Sequence, residues 1–202
     1  MIAGRRVDLE ALDVDRHGAE LWASIGRHVA LWEEIPSGPF ADREAFVAWA
    51  NDRTTREGTY LYAVRSKESG RVVGLYFLLH VDAANGVAEI GLVYGSELQR
   101  TAAGTEAFFL LADSVLGTLR YRRLEWRCSP AHVASRAAAK RYGFREEGIL
   151  RRTMWAKGRS WDTLCTSILD DEWPALATRF RAWLEPSNFD PEGKQRRALA
   201  SF

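Results

Sequence analysis

Several things are scarce in this chain, and each scarcity removes a class of protein. Only two cysteines occur among 202 residues, Cys128 and Cys165, with neither CxxC nor metal-ligand spacing. That excludes a disulfide scaffold and gives no metal site; the two read as reduced, buried thiols. No apolar run approaches the roughly 18 residues that cross a membrane, and no charged segment followed by an apolar stretch opens the chain. The expectation is a cytoplasmic protein with no membrane partner. No charge of one sign prevails either: 28 Lys and Arg against 27 Asp and Glu leave +1, so the total charge points to no polyanion. What remains, 47% hydrophobic and 11% aromatic, is a globular composition with ample material for one core.

The charge that is present is unevenly placed. Between Arg120 and Arg152 there are ten Lys or Arg and three acidic residues. A local basic surface suits a phosphorylated small molecule better than a nucleic acid, although much of it could simply be a solvated face.

Hydrophobic periodicity predicts a mixed order of elements. Arg6–Leu12 alternates as a strand and Arg16–His28 as an amphipathic helix; Leu31–Phe40, with two prolines and a glycine, is a loop. Asp42 caps a helix running to about Arg56. Strands follow at Tyr60–Arg65, Arg71–His80 and Val87–Tyr94, with Asn85-Gly86 as a hairpin signal. After a long helix come a strand at Arg123–Cys128, a helix from about His132 to Arg141 closed by Gly143, and strands at Arg145–Ala156 and Trp161–Leu169 around Lys157–Ser160. A last helix spans Asp170–Leu184, with Pro174 near its start. The expected fold is an α+β domain on a mostly antiparallel sheet of six or seven strands, residues 1–185, with residues 186–202 as a C-terminal surface tail.

The segment from Ala88 to Leu119 carries most of the chemistry. An apolar strand, a short polar turn and a helix entered through Thr101, Ala102, Ala103, Gly104 and Thr105 set small residues where a helix start has unpaired amides. Those amides and the helix dipole favour an anion, and small side chains let a phosphate approach. A tight corner with no ligand is the competing reading of this stretch taken alone. A carboxylate, Glu89, interrupts the apolar strand. Downstream lie His132, Ser135-Arg136, Tyr142-Gly143-Phe144, Glu147-Gly148, Arg151 and Lys157-Gly158-Arg159.

In that order, with Glu89-Ile90-Gly91 upstream, these signatures resemble the GNAT acetyltransferases, and within them the branch of RimJ/RimL-type ribosomal-protein N-terminal acetyltransferases. The resemblance covers about Gly4 to Phe189. It implies a GNAT-like sheet splayed between its fourth and fifth strands, with acetyl-CoA as co-substrate and no metal. The implied reaction is transfer of the acetyl group to a primary amine, a protein N-terminus or a small amine, by direct attack on the thioester. A catalytically weak CoA-binding sensor is the alternative.

Carried over residue by residue, the pyrophosphate turn is Gln99-Arg100-Thr101-Ala102-Ala103-Gly104, followed by Thr105. Its first glycine is replaced by Ala102, which is harmless at an ordinary backbone position and costly at a positive φ. The pantetheine arm would pair near Leu92, Val93 and Tyr94. His132 stands where the family usually has asparagine three residues before Ser135. Ser135 is the candidate for contact with the thiol, because Ala139 occupies the position of the family's acid tyrosine. Glu89 is the candidate base, with Glu33 and Glu34 as further carboxylates. Trp32, Phe40 and Tyr76, with Trp155 or Trp161, are expected to line the acceptor pocket. The aromatic set could equally form a homodimer contact.

Overall fold

A computed structural model describes residues 1–202. Eight strands form one sheet in the order β1-β2-β3-β4-β5-β6-β8-β7. They are β1 (Ile2–Ala3), β2 (Val7–Ala11), β3 (Tyr60–Ser66), β4 (Val72–Asp82), β5 (Val87–Tyr94), β6 (Arg123–Cys128), β7 (Arg145–Ala156) and β8 (Arg159–Leu169). All neighbours pair antiparallel except β5 and β6, which run parallel. The helices are α1 (Val14–Leu21), α2 (Arg43–Thr54), α3 (Ala102–Ala112), α4 (Val133–Tyr142) and α5 (Trp173–Leu184).

Local chemistry fixes the ends of these helices. Asp42 accepts the Ala45 amide at 2.8 Å to start α2, and Asp13 accepts the Arg16 amide at 3.1 Å to start α1; caps of this kind stabilise by about 1 kcal/mol. Gly143, at φ +103°, closes α4 in the left-handed conformation, as a helix C-terminus favours.

Two cores flank the sheet. On one face α3, α4 and α5 pack around Phe108, which stacks on Tyr142 at 4.1 Å and meets Phe180 at 5.5 Å. On the other face Leu21, Ile25, Trp32 and Phe46 cover β3 and β4. Buried Glu106 of α3 belongs to the first core. Its carboxylate accepts the Arg6 amide at 2.5 Å and the Val7 amide at 3.0 Å, which binds α3 to β2 through satisfied polar groups.

Three of the differences from the sequence reading have a local reason. Seven strands were readable; the eighth, β1, is too short to show a period and exists by pairing with β2. The expected helix Arg16–His28 ends as an α-helix at Leu21 and continues as a π-helical turn over Trp22–Gly26; a Cβ on Gly26 would sit 2.5 Å from the Trp22 ring. The turn between β7 and β8 is two residues, not four, because Lys157 (φ +52°) and Gly158 (φ +69°) are both left-handed. That is the mirror-image turn a two-residue hairpin requires.

The last segment is knitted rather than loose. Asn188 donates to the Trp183 carbonyl at 3.0 Å and accepts the Arg197 amide at 3.0 Å, while Leu199 is buried in the first core.

Candidate functional site

The site begins where the sheet opens. β5 pairs with β6 from Val87↔Arg123 only as far as Ile90↔Trp126. Beyond that point β5 continues to Tyr94 against β4, and β6 continues to Cys128 against β8. Gly91–Tyr94 therefore turns a backbone edge toward a gap instead of a strand, an edge able to pair with an extended ligand.

The turn after β5 leads to the mouth of that gap. Gln99 closes it by donating its side-chain amide to the Tyr94 carbonyl at 2.8 Å. Thr101 caps α3 by accepting the Gly104 amide at 3.1 Å. The Ala102 and Ala103 amides have no partner in the protein, and at the positive end of an eleven-residue helix they are anion donors. Ala102 lies at an ordinary backbone angle; the left-handed residue of the turn is Arg100, at φ +61°. Gly104 is required for a reason the sequence did not reveal. Its φ is ordinary, but a Cβ there would stand 2.2 Å from the Leu98 carbonyl oxygen.

From beneath, the buried Tyr76 hydroxyl meets that of Tyr94, which donates to the Gly104 carbonyl at 2.7 Å. This corrects the expectation for Tyr76: it lies wholly inside the first core and supports the turn rather than lining a pocket. Thr105 is also occupied, accepting from the Arg141 guanidinium at 3.0 Å and donating to the Thr101 carbonyl. Arg141 thereby ties α4 to the first turn of α3. Many other arginines of the basic stretch are paired internally, Arg123 with Glu125 and Glu147, Arg127 with Glu125, and Arg136 with Glu146.

Glu89 lies one residue before the fork. Its neighbours Ala88 and Ile90 belong to the first core, so strand alternation turns the carboxylate to the opposite face. There Oε2 meets His80 Nδ1 at 2.9 Å and Arg127 Nε at 3.5 Å. Burial pushes the carboxyl above the usual range, against the His80 hydrogen bond and the Arg127 charge that pull it down.

In the first turn of α4, Ser135 Oγ accepts from the Trp126 indole at 2.9 Å. Ser135 also lies by the half-buried Cys128 thiol, which burial pushes up while Ser135 and Arg136 pull it down. His132 makes no side-chain cap to α4. Burial lowers its pKa, with the charge of Glu34 opposing.

That coupling marks a side of the site assembled from distant segments. Lys157 at the β7–β8 turn donates to the Trp32 carbonyl, Arg159 reaches Glu34 at 3.6 Å, and one Glu34 oxygen is buried without a hydrogen-bond partner. Trp32 itself is fully buried, its indole donating to the Ile25 carbonyl at 3.0 Å. It is therefore the floor of this side and does not face a ligand, contrary to expectation. Phe40 stands half-buried, edge-on to Trp32 at 4.9 Å. Trp161 is buried under Arg159, whereas Trp155 is 73% exposed. The polar members Lys157 and Arg159 lacked a local signal as acceptor-side residues, because only the hairpin brings them to the loop.

No helix is long and apolar enough to cross a membrane. Residues 6–145 match the family model described as Acetyltransferase (GNAT) domain. A solved structure titled as a GCN5-related N-acetyltransferase from Brucella melitensis is 42% identical, with a TM-score of 0.94 over 99% of this chain and 92% of that one. "Uncharacterized N-acetyltransferase p20" of Bacillus licheniformis is 28% identical over 67% of this chain and 78% of its own. "Putative ribosomal N-acetyltransferase YdaF" of Bacillus subtilis strain 168 is 28% identical over 82% of this chain and 90% of its own.

Proposed function

The chain belongs to the GNAT acetyltransferase family, and from that premise we propose that it moves the acetyl group of acetyl-CoA to a primary amine by direct attack on the thioester. The observation that carries this reading is the pair of free amides at Ala102 and Ala103 beside the open edge Gly91–Tyr94, with Glu89 at the fork. The amides suit a pyrophosphate, and the edge suits the amide groups of a pantetheine arm. Bound acetyl-CoA supplies an activated acetyl group.

The protein's own residues would do the rest. Glu89 takes the proton of the incoming ammonium, directly or through a water, and its raised pKa makes it a better base than an exposed carboxylate. Ser135 donates toward the departing thiolate from the position in which Trp126 holds it. His132, whose pKa burial lowers, would serve as a donor or acceptor to the pantetheine arm.

The RimJ/RimL-type resemblance and the ribosomal name of the Bacillus subtilis relative support a protein N-terminus as acceptor; a small amine is the other arm of the test. A cytoplasmic location goes with either. We propose a homodimer contact on β7, the edge strand that leaves Ile149, Leu150, Met154 and Trp155 exposed.

Thermal unfolding with and without acetyl-CoA tests the first step. A rise in Tm is expected, and no rise sinks the reading. Release of free thiol in a panel of N-terminal peptides and small amines then identifies the acceptor class. Binding without release on any amine would leave a sensor instead of an enzyme.

A further inference from the structure

His80 has no place in the reading above, yet its geometry is unusual. It is a non-glycine residue at φ +49°, in the irregular stretch of β4 where the register with β5 shifts between Leu79 and Asp82. Its side chain is 75% exposed, so packing does not hold it there. A strand residue gains nothing from a left-handed backbone on its own; the cost is on the order of 1 kcal/mol or more. Bulges of this kind re-aim a side chain, often beside an active site. Here the re-aimed imidazole reaches across to β5 and meets Glu89 Oε2 at 2.9 Å.

A carboxylate can only accept, so the imidazole nitrogen in that contact carries the hydrogen. Arg127 approaches the same oxygen at 3.5 Å, and Glu125 holds Arg127 from below at 2.6 Å. These groups, His80 from β4 and Arg127 with Glu125 from β6, are the titratable neighbours of Glu89. Both contacts fall on Oε2, and Oε1 makes none.

We infer that His80 is a positioning residue: the β4 bulge presents its Nδ1–H to Oε2 of Glu89, which fixes the carboxylate with Oε1 turned toward the incoming amine. The inference rests on the proposed role of Glu89 as base, and it predicts more than a surface ion pair would. Without the donor, the Glu89 carboxylate loses a group that stabilises its charged form. Its pKa then rises, and the acid limb of the rate profile moves to higher pH.

Two variants test this in the full chain. His80→Gly removes the imidazole while keeping a residue that accepts φ +49°. His80→Asn restores a donor close to the position of Nδ1 and tolerates the same backbone. The expected result for His80→Gly is a kcat at least tenfold lower, an acid limb displaced upward and an unchanged KM for acetyl-CoA. His80→Asn should recover most of the rate and return the limb toward its original position. A His80→Gly enzyme within twofold of the wild type with an unmoved limb overturns the inference, as does a His80→Asn enzyme no better than His80→Gly. If Glu89→Gln retains full turnover, the role of Glu89 itself has failed. If Glu89→Gln is inactive while His80→Gly is normal, only the role of His80 has failed.

Discussion

The two sides of the cleft are built on opposite plans. The turn at Gln99–Thr105 is local: its cap, its closing amide and its required glycine all lie within a dozen residues of one another, and apart from two amides the polar groups described there are spent inside the protein. The facing side is gathered from the Glu33–Glu34 loop, the start of α4 and the β7–β8 hairpin, and its buried Glu34 Oε2 has the Arg159 charge at 3.6 Å but no hydrogen bond. A site that must hold one invariant ligand part can be written into a single stretch. A site that selects among acceptors is left to loops that meet only in the fold.

The sharpest way to test this division is to separate the effects of substitutions on the two substrates. Glu89→Gln, at the fork, is expected to act most strongly, lowering kcat by about 100-fold or more, in line with the loss of general-base help. Acetyl-CoA affinity by calorimetry should stay within about twofold; equal turnover removes Glu89 from the mechanism. Gly104→Ala comes next. A Cβ at 2.2 Å from the Leu98 carbonyl forces the turn apart, and overpacking of this order costs roughly 1–3 kcal/mol. Acetyl-CoA binding and Tm should fall together, and an unperturbed Kd would show that the turn is not the ligand's seat.

Glu34→Ala should raise the KM of the amine several-fold while leaving that of acetyl-CoA alone. The reverse pattern would erase the distinction between the sides. Thr101→Ala removes a cap and should cost about 1 kcal/mol in chemical denaturation, with a modest loss of acetyl-CoA affinity.

The smallest effect is expected away from both sides. Arg123 holds the Glu147 carboxyl down at about 2. A depressed carboxylate pKa contributes stability above its unfolded value, near 4.3, and loses it as pH falls toward 2. Glu147→Gln should therefore blunt the acid sensitivity of unfolding between those values and change neither KM. The pair is part-exposed and solvent screens it, so the shift should be slight.

The same contrast explains what could be read from the sequence. The strand and the small residues around the turn are consecutive, so periodicity exposed them, and the α+β sheet followed from seven of its strands. Hidden were the effects that depend on a through-space neighbour. Gly104 was legible as a glycine, but its reason, the Leu98 carbonyl, was not. Tyr76 and Trp32 read as candidate pocket walls because aromatic residues look alike in a sequence, whether they face a ligand or a core. His80 was unreadable because nothing in the string announces a left-handed residue within a strand.

The hydroxyl chain from Tyr76 through Tyr94 to Gly104 has a thermodynamic corollary. Because it fastens the first turn of α3 to the sheet before any ligand arrives, the entropy of ordering that turn is already paid at folding. Acetyl-CoA would then meet a rigid receptor, and its binding should show a small conformational penalty. Tyr94→Phe would uncouple the two, leaving the groove in place while affinity becomes more dependent on temperature.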